Sequence, residues 1–268
     1  MKQSKISRFR TRIILFILTG ILAACSDKQE EITPLQTCIN HYQAESYQVA
    51  SKQCQIAAEH GSSMAQWLLA HIYRYGLIGK GEDQEQAFKW YLKAAENGHV
   101  AAKREVGQSY MYETGVTQDY TKAHRWLMKA AKSHDAEAEF SVGILFFEGF
   151  GREKDVGSAI NWFKRAAIKN HNMSINNLAW IFATSRNAAF NTPKKAKFWI
   201  AKLDKKLLQV PMFLDTKAAV MAAAEDFEQA IKLQNQAIAQ LPADTPEEQL
   251  LEFQKHLDSY LLGKAWYE

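Results

Sequence analysis

Three stretches of the sequence repeat one pattern: Trp-Tyr-Leu-Lys-Ala-Ala at 90–95, Trp-Leu-Met-Lys-Ala-Ala at 126–131 and Trp-Phe-Lys-Arg-Ala-Ala at 162–167. They follow one another at a spacing of 36 residues, and an alanine stands three residues before each tryptophan. Residues at i, i+3, i+4 and i+7 share one face of a helix, so each stretch predicts an amphipathic helix. A period of this length is typical of repeat proteins built from helical hairpins.

A second column of small residues lies 16 or 17 residues before the alanine of each of these helices and of a fourth copy that contains Ala196 and Trp199. Its members are Ala70, Gly107, Gly143 and Ala179. A glycine inside a helix costs about 1 kcal/mol relative to alanine, so the two glycines indicate a place where helices cross closely. Asp119 is an apt N-cap between two helices, and no segment alternates with period 2. The predicted fold is all-α, a right-handed α-solenoid of helical hairpins.

Over about residues 44–207 this pattern resembles Sel1-like repeats, which are relatives of the tetratricopeptide repeat with a longer turn inside the hairpin. The fourth unit departs from it, with Thr184-Ser185-Arg186-Asn187 in place of a Gly-rich turn. The stretch 211–242 has a shorter turn and resembles a tetratricopeptide repeat. The resemblance implies a protein–protein interaction scaffold.

The chain divides into six predicted segments. They are a signal peptide (1–24), a tether (25–33), a cysteine-containing hairpin (34–62), Sel1-like repeats (63–207), a tetratricopeptide repeat (208–243) and a capping helix with a tail (244–268). Thr245-Pro246-Glu247-Glu248 has capping-box spacing and predicts the start of the last helix.

The net charge of +4 comes from the start of the chain. Residues 1–24 hold five basic and no acidic side chains, which leaves 28 basic and 29 acidic ones in the rest. An apolar run then leads to Leu22-Ala23-Ala24-Cys25, which resembles a bacterial lipoprotein signal. The resemblance implies cleavage before Cys25 and acylation of that cysteine. Because Ser26 rather than an aspartate follows, it also implies the outer membrane, with the protein facing the periplasm.

Two cysteines remain, Cys38 and Cys54. In an oxidising compartment they are candidates for a disulfide worth about 3 kcal/mol, and two buried thiols are the alternative.

The sequence predicts no catalytic centre, cofactor or metal site. None of the eight histidines forms an HExxH motif, and no Walker or GxSxG motif is present. A mature chain close to neutral does not favour nucleic acid as a partner. The tryptophans of the repeated stretches are interpreted as core residues, with a partly exposed binding ladder as the alternative.

The first helices of the repeats are expected to line a concave surface. Counting from the small crossing residue selects a partner-binding set: Trp67, His71, Arg74, Arg104, Gln108, Met111, Phe147, Asn176 and Trp180. Phe140, Ile144 and Ala183 belong to the same positions. A groove that holds an extended peptide or a helix would suit this mixture.

The resulting hypothesis is a non-enzymatic outer-membrane lipoprotein that acts as an adaptor for envelope proteins. The alternatives are a peptidoglycan- or glycan-binding protein, including a β-lactamase-like hydrolase, and a surface-displayed protein for host contact.

Overall fold

The computed structural model describes residues 33–268, and over this range the chain is helical, without a strand. The helices are α1 (Pro34–Gln43), α2 (Tyr47–Glu59), α3 (Ser63–Arg74), α4 (Gln84–Glu96), α5 (Val100–Tyr112), α6 (Tyr120–Ala131), α7 (Ala136–Glu148), α8 (Val156–Ala167), α9 (Asn172–Thr184), α10 (Pro193–Ile200), α11 (Pro211–Ala222), α12 (Phe227–Ala239) and α13 (Glu247–Leu261). A short 3₁₀-helix, Lys205–Gln209, precedes α11. The predicted all-α fold is confirmed.

The helices form antiparallel hairpins that stack in chain order. We call α3, α5, α7, α9 and α11 the first helices and their partners α4, α6, α8, α10 and α12 the second helices. Each second helix packs on the first helix of the next hairpin, as α4 does on α5 and α6 on α7, and some first helices also contact one another, as in α5 on α7 and α9 on α11. Within residues 33–268, second helices of neighbouring hairpins do not pack to a comparable extent. The first helices therefore line the inner side of the stack.

Aspartates start most of the second helices. Asp83, Asp119 and Asp155 each accept a hydrogen bond from the backbone N–H three residues later, at 2.9 Å. His99 and His171 cap first helices in the same way through Nδ1. These side chains satisfy N–H groups that the first turn of a helix leaves without a partner. The predicted N-cap at Asp119 is confirmed. The aspartates and histidines of the repeat turns thus serve as helix caps.

The two mid-helix glycines lie where first and second helices meet. A Cβ added at Gly107 would come within 2.6 Å of Leu127 Cγ, and one at Gly143 within 2.5 Å of Phe163 Cε1. Leu127 and Phe163 are both fully buried. The glycines therefore allow a larger side chain of the second helix to fill the core, as the sequence indicates.

The tryptophan column is less buried than its core interpretation predicts. Trp90 and Trp199 are 8% exposed, whereas Trp126 and Trp162 are only half-buried. A cation three residues later stacks on the ring: Lys129 Nζ lies 3.8 Å from the Trp126 ring centre. Leu127 and Phe163, the residues after the tryptophans, fill the core of these two repeats instead. The tryptophans bridge the core and the outer surface.

The first hairpin is closed by a disulfide between Cys38 and Cys54, which joins α1 to α2. Both cysteines are fully buried. Glu45 adopts a left-handed backbone conformation in the turn between these helices (φ 56°).

The capping-box prediction at the last helix is wrong. Helix α13 begins at Glu247 without a side-chain cap, and Thr245 Oγ1 donates to the carbonyl of Pro242 instead. The predicted signal peptide, Cys25 and all of the tether but Thr33 lie outside the described residues. Among residues 33–268, no helix combines the length and apolar character needed to cross a membrane.

Candidate protein-interaction surface

The inner surface has two regions that differ in how their polar groups are used. Near the N-terminal end, side chains of successive first helices bind one another. We call Tyr42, His71, Arg74, Arg104, Glu105 and Asp135 the polar ladder. Toward the C-terminal end, the surface is built around Trp180, and there we call Trp180, Asp215, Glu252, His256 and Glu268 the Trp180 region.

Aromatic contacts place two predicted residues, Trp67 and His71, at the start of the ladder. The Tyr42 hydroxyl lies 2.6 Å from His71 Nδ1. The Trp67 ring stacks on His99 of the next hairpin, with ring centres 5.3 Å apart. Burial lowers the pKa of both histidines, so they are neutral at pH 7. Trp67 and His71 thus each contact a residue of a neighbouring hairpin.

The two predicted cations are already paired within the chain. Arg74 forms an ion pair with Glu105. Arg104 binds Glu105 at 2.9 Å and Asp135, in the next hairpin, at 3.0 Å. Glu105 and Asp135 are 14% and 13% exposed, so these ion pairs are only partly open to water. Neither arginine offers an unpaired charge to a partner, although both stay on the surface.

Three further predicted residues lie deeper than expected. Met111 and Ala183 are 1% exposed and belong to the core, and Asn176 is 4% exposed. Met111 cannot contact a partner in this structure, so the prediction that it binds one is wrong. Gln108 is half-exposed and donates to Ser141 Oγ of the next first helix at 3.3 Å.

Trp180 stands between two cavities of the inner surface. One, of about 180 Å³, is lined by Phe147, Lys154 and Trp180 among others. The second, of about 250 Å³, is lined by Asn176, Trp180 and Met212, together with residues of α13. Of the predicted residues, Phe147 lines one cavity and Asn176 the other, and Trp180 lines both.

The last residues of the sequence lie on this site. The N–H of Glu268 donates to the carbonyl of Thr184 at 2.8 Å, and the N–H of Arg186 donates to the carbonyl of Glu268 at 3.0 Å. Trp180 Nε1 donates to Glu268 Oε2 at 3.0 Å. An extended segment with an acidic side chain is thus held by the end of α9.

Beneath that segment lies a buried polar network. His256 Nδ1 lies 2.8 Å from Asp215 Oδ1, and Gln234 Nε2 donates to the same oxygen at 2.8 Å. An ionised carboxylate only accepts, so this contact is a hydrogen bond when Nδ1 of His256 carries a proton. Nε2 is buried and has no hydrogen-bond partner among the described residues.

Burial raises the pKa of Tyr260, and the carboxylates of Asp215 and Glu268 add to the effect. The Tyr260 hydroxyl therefore stays neutral. At 1% exposure, His256 has no direct access to solvent, so the Asp215–His256 pair does not have the open geometry of a general base.

Glu252, His256 and Glu268 are candidate site residues that the sequence patterns did not predict. Their potential ligand atoms lie within 4.8 Å of one another. Glu252 and His256 are four residues apart on α13, a spacing that places both on one helix face. That spacing was the available signal, whereas the approach of Asp215 and Glu268 depends on tertiary structure.

Comparison with known proteins identifies the repeats. The family model of the Sel1 repeat matches residues 63–99, 100–135 and 136–171. A protective antigen of uropathogenic Escherichia coli strains with an SLR fold superposes with a TM-score of 0.66 at 21% identity, over 82% of this chain and 45% of that one. The chain thus spans less than half of that protein.

A Sel1 repeat protein from Oxalobacter formigenes superposes with a TM-score of 0.63 at 21% identity, over 85% of this chain and 98% of that one. At this identity the two structures show the fold alone. No curated protein matches the chain by sequence. The chain thus contains three Sel1 repeats, over residues 63–171, and repeats of this kind are suited to protein–protein interaction.

Proposed function

We propose that this protein is a non-enzymatic scaffold of the cell envelope that holds an extended segment of a partner protein at the Trp180 region. Sel1 repeats serve protein–protein interaction in general, and stacked hairpins offer an extended inner surface for it. The proposal concentrates binding at the C-terminal end of that surface, since the polar ladder already uses its charges internally.

The observation that carries the proposal is the contact of Glu268 with α9. Backbone hydrogen bonds to Thr184 and Arg186, with a side-chain bond from Trp180, are the contacts a bound peptide would make. The chain's own segment therefore serves as a model of a ligand.

The smaller cavity favours an acidic group, and the larger cavity beside it offers an apolar contact. Lys154 lines the smaller cavity, and its Nζ lies 4.7 Å from the ring centre of Phe147. Met212 is 38% exposed beside the larger cavity and offers apolar contact. A carboxylate beside an aromatic or aliphatic side chain matches these groups.

The proposed location follows from Leu22-Ala23-Ala24-Cys25. Acyl chains on Cys25 would anchor the chain, since each buried CH₂ contributes about 0.8 kcal/mol and several chains act together. Ser26 after the cysteine supports the outer membrane, with the repeats in the periplasm. The partner proposed is accordingly an envelope protein, and neither nucleic acid nor a cofactor is required.

Site-specific photocrosslinking in cells tests the surface. A benzophenone amino acid replaces Met212 or Phe147 in the inner surface, and Ile168, which is 74% exposed, carries the matched control. We expect one envelope protein to be captured from the first two positions and not from the third. Substitution of Trp180 by alanine should abolish the product.

Equal capture from all three positions, or capture that persists without Trp180, would remove the surface from consideration. The anchor is tested separately with Cys25→Ala. This variant should leave the membrane fraction and appear in the soluble periplasmic fraction, and retention in the membrane would refute lipidation.

A further inference from the structure

Glu252, His256 and Glu268 form a cluster within the Trp180 region that the repeats do not explain. His256 is 1% exposed, and its Nε2 has no hydrogen-bond partner among residues 33–268. A buried polar atom without a hydrogen-bond partner costs about 1–3 kcal/mol of stability. A ligand that binds Nε2 would remove this cost. Glu252 and Glu268 bring carboxylate oxygens to within 4.8 Å of an imidazole nitrogen.

We propose that Glu252, His256 and Glu268 bind a divalent transition-metal ion of the Zn²⁺ class, which fastens residues 263–268 to the inner surface. His256 would ligate through Nε2, because Nδ1 is bound to Asp215. The two carboxylates would supply oxygen ligands, and water would complete the shell. One imidazole with two carboxylates is a ligand set that suits zinc.

The surroundings of the cluster resemble the outer shell of a metal site. Asp215 Oδ1 orients the imidazole at 2.8 Å and is itself bound by Gln234. Trp180 Nε1 holds Glu268 at 3.0 Å. In zinc sites a carboxylate on the far nitrogen of a ligating histidine fixes its tautomer, and such partners support the ligands. Both His256 and Glu268 thus have a group that orients them.

The electrostatics also favour a cation. The carboxylates of Asp215, Glu252 and Glu268 converge on a single imidazole. Among the described residues, neither Glu252 nor Glu268 pairs with a lysine or arginine. A divalent cation would offset this accumulated negative charge.

The required rearrangement is small. Bonds of 2.0–2.2 Å at a tetrahedral angle place ligand atoms about 3.4 Å apart, somewhat closer than in this structure. Glu252 is exposed and can rotate toward His256, whereas Asp215 holds His256 and Trp180 holds Glu268. The rearrangement therefore falls mainly on the side chain of Glu252.

Calorimetric titration of Zn²⁺ into the metal-stripped full chain tests the site. We expect one ion to bind at the cluster, with at least about tenfold weaker binding in Glu252→Gln and in Glu268→Gln. Glu247→Gln, an exposed substitution on the same helix, is the matched control and should bind as the wild type does. Glu252→His, which replaces one ligand by another, should restore binding, and Mg²⁺ should bind far more weakly.

A second measurement separates a metal site from general destabilisation. Zn²⁺ should slow amide hydrogen exchange of Glu268, whose N–H donates to Thr184, in the wild type but not in Glu252→Gln. The variants alter exposed side chains, so circular dichroism should show an unchanged fold. The site is overturned if the wild type binds no Zn²⁺, or if it binds Zn²⁺ no more tightly than both glutamine variants.

Discussion

The two ends of the inner surface place similar residue types in opposite situations. In the polar ladder, Arg74 and Arg104 share Glu105, and the Arg74–Glu105 and Arg104–Asp135 pairs link one hairpin to the next. In the Trp180 region, a histidine and two glutamates converge without a cation among the described residues. The ladder uses its polar groups to hold repeats together. The Trp180 region leaves polar groups available to a ligand.

The difference arises from where each contact lies along the chain. The ladder contacts between hairpins join residues about 31 positions apart, as in Arg74 with Glu105. Such contacts arise because each repeat packs against its nearest neighbour. The contact of Trp180 with Glu268 spans 88 positions. Local repetition therefore builds the scaffold, and a non-repeated segment builds the site.

Removal of the Cys38–Cys54 disulfide should have the largest effect on stability. The loss of stability should be confined to the N-terminal end. Replacement of both cysteines by alanine is expected to lower the local free energy of unfolding of α1 and α2 by about 3 kcal/mol. Hydrogen exchange should show the loss there and leave α13 protected, because repeats stabilise mainly their neighbours. A reductant should reproduce the effect in the wild type and leave the variant unchanged. Equal loss of protection in α13 would contradict independent behaviour of the two ends.

Gly143→Ala tests the close crossing of a first helix and a second helix, a packing feature of the repeats that lie between the polar ladder and the Trp180 region. The new Cβ would overlap the buried Phe163 ring, so we expect a loss of about 1–3 kcal/mol despite the better helix propensity of alanine. Gly157→Ala is the matched control, because its Cβ would meet Asp155 Oδ1 at 3.4 Å, an ordinary contact. That control should gain up to about 1 kcal/mol. Thermal unfolding of both variants measures the contrast, and equal shifts would refute the close crossing.

Glu105→Gln is expected to weaken the polar ladder by about 2 kcal/mol. It removes the charge that Arg74 and Arg104 share at a site that is mostly screened from water. Glu148→Gln, on an exposed side chain at the end of α7, should change stability by less than about 0.5 kcal/mol. Denaturant unfolding at low and high salt provides the measurement. A loss no greater than that of the control would show that the ladder contributes no stability.

The sequence was sufficient to predict features set by local periodicity. The 36-residue spacing of the Trp-containing stretches predicted the hairpins, and Gly107 and Gly143 predicted the close crossings. Counting positions along a helix failed for Met111, since its burial depends on how the next hairpin packs against it. The pairing of Asp215 with His256 spans 41 residues and three helices, and no periodicity encodes it.

The smallest expected effect is the pH dependence contributed by the ladder end. Burial lowers the pKa of His71, with the nearby charges of Glu105 and Arg74 acting in opposite directions, and burial also lowers the pKa of His99. Because the folded state then binds fewer protons than the unfolded state, the stability is fully present above the unfolded pKa of about 6.5.

Stability should therefore fall as the pH is lowered through and below that value. The loss should stay below about 1 kcal/mol for each histidine, because both side chains are half-exposed and water screens the charge. Thermal unfolding between pH 7.5 and 5.5 should show a shallower slope in His71→Gln than in the wild type. Hydrogen exchange should locate the change in α1–α5. A steeper slope in the variant would mean that His71 gains, rather than loses, proton affinity when the chain folds.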